Sequence, residues 1–536
     1  MYLGAIMHVL RLPLRPTESD KHILEKRFCC IWHVHNVVVK YAKKQLNKLF
    51  AEKEYTMARI AYYQVKEELC KLFDNDDNKL SNEHKTLMAK KNELIKVMQA
   101  YTNRYHLTKN DLEKYAVVQS HKFSHLLSST QVQKEADRVY SGVDKVLYSN
   151  GKDIKFKLPK NTTTICGKTP KNGVRYYDAD HTSYYPKKVK PVFSEEIEYL
   201  GLHIKVKVNT KDLYIVESLR GDISFCELKR IMFKDGWHYY VNLYIRSDAP
   251  NKRNSLNICK EVQGMDLGVS TAAVVSDTNV ILEELAPKSV EYEKRIKELQ
   301  RKIDRSKRIT NPNNYHPDGT IKKGCRKWFY SKNCLRNMRL LTVLIRKKAM
   351  STEHAHYILA NKILDNGIYI YTEAMIFYGL QHRSKKKTER QTKTTTVITK
   401  DGTKKTIKKF KRKKRFGHSL ANRSPAKFSA ILERKAKALG GFLKKVNTKS
   451  FKASQYRHDT DTYERLPLSQ RSKIINGHKV QRDLYSAFLI RNTNIDLKSV
   501  NRTRCETQFS NFVTMSTNYI SKLKNRGISY SAVFGF

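Results

Sequence analysis

The sequence predicts a mixed α/β protein built from several units, and three observations carry that expectation. Apolar residues spaced by threes and fours run through most of the first 150 positions. The period then switches to two between 197 and 247, and from 261 a β-meander gives way to alternating strands and helices. With 536 residues, at roughly 150 per domain, three or four units are expected.

Residues 2–12 read as one strand, ended by Pro13 and Pro16. Thr17 starts a helix whose apolar stripe is Leu24, Phe28, Ile31, Val38, Ala42, Leu46 and Leu49. Helical patterning continues through 55–71, 81–103 and 109–149, and Gly151 ends it. The stretch 152–195 is basic, low in apolar content and punctuated by Pro159, Pro170, Pro186 and Pro191, so it reads as a loop-rich segment against a polyanion. Strands return in HIKVKVN, DLYIVESL and FKDGWHYYVNLYI, the last turning at Asp235-Gly236. A polar linker, 248–260, precedes EVQGMDLGVSTAAVVSDTNVILEEL, which reads as three strands with tight turns. Helix 288–308, a loop at 309–331 holding Asp318-Gly319, a long amphipathic helix at 334–364 and the strand GIYIYTEAM follow. Residues 381–416 hold 16 Lys or Arg against Glu389 and Asp401 and look like a β-hairpin around Asp401-Gly402. Helix 425–439, strand 441–447 and helix 483–491 complete the pattern.

Charge narrows the function. There are 104 Lys or Arg against 51 Asp or Glu, a formal net charge of +53. Self-repulsion on that scale calls for a polyanion, and a long nucleic acid supplies enough phosphates. No apolar run reaches the 18 or so residues of a membrane span, so no membrane partner is expected. The N-terminus carries Arg11 and Arg15 after a short apolar stretch and has no A-x-A site, so it reads as a strand and not a signal peptide. Nine cysteines without a C-x-x-C pair point to reduced thiols in a cytosol-like compartment.

Three carboxylates sit in apolar settings: Asp266 in VQGMDLGVS, Glu373 closing IYIYTEAM, and Asp483 opening the helix of KVQRDLYSAFLI. Each alone has a plainer reading, as a turn residue, a lysine partner or a helix cap. Together they suggest a shared cation, because burying unpaired carboxylates is costly and all-oxygen ligands favour Mg²⁺ or Mn²⁺. Two such ions would suit phosphodiester hydrolysis.

These segments resemble the RuvC-like nuclease domain of the TnpB proteins and their relatives, the compact type V CRISPR effectors. GMDLGVS is similar to the first RuvC motif, G-[IV]-D-[LV]-G; IYIYTEAM to the second, an apolar strand ending in Glu; and VQRDLYSAFLI to the third, D-R-D-x-N-A-A-x-N-I. The likeness covers about 261–491, with SPAKFSAILERKAKALGGFLKKVNTKS matching the helix and strand before the third motif. It implies an RNase H-like RuvC domain at 261–491, a β wedge at 1–16 and 196–260, and an inserted helical recognition lobe with its basic loop at 17–195. Residues 492–536, a C-terminal tail, match nothing in the family. The implied catalytic and metal-binding residues are Asp266, Glu373 and Asp483, holding two Mg²⁺ or Mn²⁺ ions. LSQR resembles the family's L-S-x-R segment, which implies that Arg471 acts at the scissile phosphate; read by itself, Arg471 is a surface residue.

The implied activity is Mg-dependent, RNA-guided cutting of double-stranded DNA by a monomer carrying one guide RNA, in a prokaryotic cytoplasm at the nucleoid. The alternative is an RNA-guided DNA-binding repressor; retention of all three acids favours cutting, and their D-E-D order disfavours a D-D-E transposase. Two departures stand out: Ala374-Met375 follows Glu373 where the family has an acid and a leucine, and the zinc site is altered. The family's zinc ribbon would fall at 448–482, yet no cysteine lies between Cys334 and Cys505, so zinc is not expected. The basic hairpin is expected to contact nucleic acid through Lys385, Lys386, Lys387, Lys408, Lys409, Lys411, Arg412, Lys413, Lys414 and Arg415, mostly at phosphates. Tyr176, Tyr177, Tyr184 and Tyr185 could stack on bases or pack on the lobe surface.

Overall fold

The first strand, β1 (His8–Pro13), stops where proline removes backbone donors, and Thr17 then caps a long helix. The Thr17 hydroxyl accepts from Asp20 N at 3.2 Å while the Asp20 carboxylate accepts from Thr17 N at 2.9 Å, a reciprocal cap. The computed structural model describes every residue except 1–6, 74–81, 150, 168–172, 178–195, 251–257, 323, 325–326, 382–386, 399–403, 413–415, 468–469, 527–533 and 535–536. The chain divides into two units, Met1–Arg253 and Asn254–Phe536, and not the three or four expected from length.

In the first unit the capped helix is α1 (Glu18–Ala51), followed by α2 (Lys53–Phe73), α3 (Asn82–Arg104), α4 (Lys109–Ser120) and α5 (Ser129–Tyr148). Then come β2 (Thr164–Cys166), β3 (Arg175–Tyr177), β4 (Glu196–Tyr199), β5 (Leu202–Lys205), α6 (Leu213–Leu219), β6 (Ile223–Met232) and β7 (Trp237–Ile245). β1 pairs antiparallel with β7, His8 opposite Ile245, in a sheet ordered β1-β7-β6-β2; β3-β4-β5 form a second sheet. One continuous core runs from Leu10 and Leu12 through Leu24, Phe28 and Val139 to Val241 and Ile245. That continuity is why helices and strands here make one unit: the helical stripe buries itself on the strands. DLYIVESL is the helix α6 and not a strand, because the Asp212 carboxylate accepts from Tyr214 N at 3.0 Å and caps it. The basic stretch after α5 is less loop-like than its composition indicated. Lys157 O accepts from Trp32 Nε1 at 2.8 Å and from Asn36 Nδ2 at 3.0 Å, and β2 and β3 add edge strands.

A buried polar chain joins these layers. Glu135 on α5, only 2 % exposed, accepts from Arg138 Nη1 at 2.7 Å, is hydrogen-bonded to His35 Nδ1 on α1 at 2.7 Å, and meets the Lys157 ammonium. Arg138 reaches Glu227 on β6 at 3.2 Å, Glu227 accepts from Asn242 on β7 at 2.9 Å, and Asn242 accepts from Arg11 on β1 at 2.9 Å.

The second unit contains β8 (Val262–Leu267), β9 (Thr271–Val275), β10 (Val280–Glu284), α7 (Ser289–Thr310), α8 (Lys332–Asp365), β11 (Tyr369–Glu373) and α9 (Phe377–Gln381). After it come β12 (Lys387–Ile398), β13 (Lys404–Arg412), α10 (Gly417–Arg423), α11 (Pro425–Ala438), β14 (Phe442–Val446) and α12 (Thr448–Phe451). Last are β15 (Tyr456–Arg457), β16 (Thr462–Tyr463), β17 (Ser472–Ile475), β18 (His478–Gln481), α13 (Arg482–Arg491) and α14 (Arg502–Asn525). The central sheet is ordered β10-β9-β8-β11-β14: β8, β9 and β10 form the antiparallel meander, and β11 and β14 run parallel to β8. Strand alternation splits the core between its two faces. Met265, Leu267, Val274 and Ile370 pack with Leu359 and Ile363 of α8 and Phe428 and Leu432 of α11. Ala273, Val275 and Val446 pack with Leu484 and Phe488 of α13 and with Phe509 and Phe512 of α14.

The segment after 491 is therefore a core element and not a tail: Cys505, Phe509, Phe512, Ser516 and Leu523 are buried at helical spacing. At the position expected for a zinc ribbon, two small hairpins, β15–β16 and β17–β18, pack against an aromatic cluster. There buried His458 shares a 2.7 Å hydrogen bond with the Tyr485 hydroxyl and lies 4.9 Å from the Phe509 ring.

Burial alone would push the Glu135 carboxyl up, but the His35 hydrogen bond and the charges of Arg138 and Lys157 hold it at about 2, below its ordinary 4.5. A lowered folded value means that its contribution is complete above about pH 4.5 and lost as pH falls toward 2, on the order of 3 kcal/mol in all. Glu135→Gln is expected to melt lower than wild type at neutral pH and to show a shallower acid limb between those values. Identical limbs in a pH series of melting curves would refute the role assigned to this network.

Candidate active site

β8 and β11 are parallel neighbours with Tyr371 opposite Gly264 and Thr372 opposite Met265, so Asp266 and Glu373 come next, side by side at the carboxyl ends of the two strands. Alternation places Gly264 and Asp266 on one face, with Tyr371 and Glu373 beside them. That face carries α13. A Cβ on Gly264 would stand 2.1 Å from Ala487 O and 2.3 Å from Arg491 N, so the helix backbone lies where a side chain would be. Four residues back along α13 from Ala487 is Asp483, about 6 Å of helix; two residues along β8 from Gly264 is Asp266, about 6.6 Å of strand. The matched rises bring Asp483 over Asp266.

The electrostatics record this convergence. Burial, then the charges of Asp483 and Glu373, push the Asp266 carboxyl well above the usual carboxylate range against the opposing pull of Arg482. Burial also raises Glu373. Both side chains keep intermediate solvent exposure, so each carboxylate is still reached by water at the strand ends. Gln481 caps α13, its side chain accepting from Leu484 N at 2.7 Å, which sets Asp483 in the first turn.

Asp483 is held by cations: Arg482 Nη2 lies at 3.3 Å and Arg471 Nη1 at 3.8 Å. Arg482 also donates to Gln470 O at 3.1 Å and, through its backbone N, to Arg471 O at 2.8 Å, so it anchors the segment that carries Arg471. Arg471, read alone as a surface residue, is thus half-buried beside the third acid. The all-carboxylate donor set suits a hard divalent cation. Among the described residues, however, no three His, Cys, Asp or Glu side chains already stand at a spacing that would hold one metal ion.

Of the basic-hairpin residues, Lys387 lies on β12, and Lys408, Lys409, Lys411 and Arg412 on β13, the two strands pairing antiparallel from Lys387–Arg412 to Ile398–Lys404. Lys385, Lys386, Lys413, Lys414 and Arg415 lie outside the described residues, as do Tyr184, Tyr185 and the side chain of Tyr177. Tyr176 is fully buried in the core of the first unit, so it packs and does not offer its ring to bases. Sequence reasoning did not single out Arg482 or assign Gly264 its packing role. Both lie within the quoted motifs, but their contacts join positions far apart in sequence. Among the described residues no helix is long and apolar enough to cross a membrane.

Gly264→Ala is expected to force α13 off β8, costing about 1–3 kcal/mol as overpacking and displacing Asp483. Calorimetry of the variant checks it; an unchanged melting temperature would mean that the close approach does not hold the site.

No family model and no curated protein matches the sequence. Two of the solved structures that align with it are the following. A cryo-EM Cas12f1–sgRNA–target DNA complex is 12 % identical, over 91 % of this chain and 99 % of that one, with a TM-score of 0.39. A cryo-EM CRISPR-Cas12f ternary complex is 11 % identical over the same shares, with a TM-score of 0.24. Likeness this low adds no weight, and the functional reading stands on the chain's own residues.

Proposed function

We propose that the chain is an RNA-guided DNA endonuclease whose Asn254–Phe536 unit is an RNase H-like, RuvC-type nuclease cutting target double-stranded DNA after guide pairing and recognition of a flanking motif. The observation that carries the reading is the placement of Asp266 and Glu373 side by side at the carboxyl ends of adjacent strands, with Asp483 on the helix packed against Gly264, three acids from separate segments of the chain. Isolated caps or turn residues would not converge at one end of a sheet. A net charge of +53 supplies the attraction that a guide RNA and a DNA target require. The resemblance of the sequence motifs makes residues 1–16 and 196–260 the wedge and residues 17–195 the recognition lobe, with one chain per guide RNA.

Bound Mg²⁺ or Mn²⁺, two ions in this reading, would supply an activated water and stabilise the leaving oxygen. Asp266 and Glu373 offer their carboxylates from rigid strand ends, and Asp483 offers its own from a capped helix start. Arg482 positions Asp483 and the Arg471 segment, and Arg471 faces the phosphate. The second reading, an RNA-guided DNA-binding repressor, draws on the arginines that already occupy Asp483.

The test is a Mg²⁺-dependent cleavage assay on guide-matched DNA, with protein co-purified with RNA from its native locus. Asp266→Ala, Glu373→Ala and Asp483→Ala are each expected to lose cleavage by at least ~10³-fold, about 4 kcal/mol of transition-state stabilisation, while RNA-dependent DNA binding persists. Matched binding without cutting by wild type would make the chain a repressor, and no RNA and no binding would sink the reading altogether. Separately, metal analysis of purified protein is expected to find less than one zinc per chain, since no cysteine lies between Cys334 and Cys505 and two histidines without thiolates do not complete a tetrahedral site. Stoichiometric zinc would overturn that.

A further inference from the structure

The connection between α7 and α8 is built as carefully as a core. The buried Asn311 side chain donates to Lys307 O at 3.0 Å and to Phe329 O at 2.8 Å, and accepts from Phe329 N at 2.7 Å. The Thr310 hydroxyl also donates to Phe329 O, at 3.1 Å, and Asn314 Nδ2 donates to Lys327 O at 2.8 Å. A bridge between Tyr315 and Ile321 closes a small turn around Gly319, whose φ is +78°. These bonds hold the backbone at 327–329, yet the Phe329 side chain is 71 % exposed, and Ile309 beside Thr310 is 80 % exposed. A single exposed apolar side chain is ordinary on a protein surface, so it is the company Phe329 keeps on this tied-down backbone that points to a partner.

The surroundings say which kind. Lys307 Nζ lies 5.7 Å from the ring centres of both Trp328 and Tyr330, and the Arg308 guanidinium lies 5.7 Å from that of Tyr315. Residues 301–339 carry twelve Lys or Arg against Asp304 and Asp318. Charge complementarity selects a polyanion, and the exposed ring selects one with bare aromatic faces, which a base-paired duplex lacks along its length.

We propose that this loop is a stacking platform for unpaired nucleobases, with Phe329 lying against a base while Lys307, Arg308, Lys322 and Lys327 follow the phosphates of the same strand. It rests on the nucleic-acid reading above but not on cleavage.

The experiment photo-cross-links 5-bromouracil-substituted oligo(U) and oligo(dT) to the full-length protein and maps the linked peptide. Linkage at 328–330 by either strand supports the platform, and the productive arm tells RNA from DNA. In titrations, Phe329→Ala is expected to weaken binding of the unpaired strand about 5- to 100-fold while leaving duplex affinity and the salt slope unchanged. Phe329→Trp restores binding and Phe329→Leu does not. Cross-links only elsewhere, equal loss on duplex, rescue by leucine, or self-association of wild type that Phe329→Ala abolishes would each overturn the proposal. Linkage at 328–330 in a protein that never cuts DNA supports the platform and sinks only the nuclease reading.

Discussion

The second unit depends on one close approach, the backbone of α13 lying against Gly264 of β8. Because the helix sits where a side chain would be, its first turn reaches the carboxyl end of β8, and the charge of Asp483 is felt at Asp266 beside Glu373. The aromatic cluster of Tyr485, Phe488, Phe509 and Phe512 presses the helix down from the other side, Phe488 and Phe512 stacking at 4.6 Å. Arg491, at the far end of α13, is almost wholly buried, bonded to Asp277 in the β9–β10 turn and to Gln508 on α14. The helix is therefore pinned at both ends and along its length. The acids inherit their positions from packing, not from interactions that favour acids together.

Two carboxylates, Glu135 and Asp266, show how differently the fold treats one chemical group. Glu135 is surrounded by donors from three segments, and its carboxyl is held at about 2. Asp266 is surrounded by other acids, and its carboxyl is pushed well above the usual range. A satisfied carboxylate stabilises the structure that holds it, whereas mutually repelling ones cost stability and persist where a ligand or a reaction uses them. On that contrast Glu135 is a structural joint, and Asp266 is the acid that the proposed nuclease would use. The arginines at Asp483 offset part of the repulsion in the free protein.

Helical and strand periods were legible in sequence because each reports which side of an element meets the core. Every residue of the stripe from Leu24 to Leu49 is buried, and the meander at 262–284 forms the three strands its turns indicated. Where the reading failed, a local or distant contact overrode composition. The Asp212 cap turned an apparent strand into α6. Trp32 and Asn36 tied down a basic stretch that looked loose. The helix at 502–525 had the spacing of a buried face from Cys505 to Leu523, a signal present in the sequence but hidden behind the lack of a motif.

The sequence by itself carried the net charge behind the proposed polyanion partner and the apolar settings that mark the three proposed acids. Charge is a sum over residues, and an acid in an apolar run is anomalous wherever the run folds. Only the tertiary structure decided that β1 pairs with a strand more than 200 residues away, that Tyr176 is core, and that Arg482 serves both Asp483 and the Arg471 segment. Those outcomes depend on which distant surfaces exclude water from one another, and burial between distant segments leaves no periodic trace in either of them.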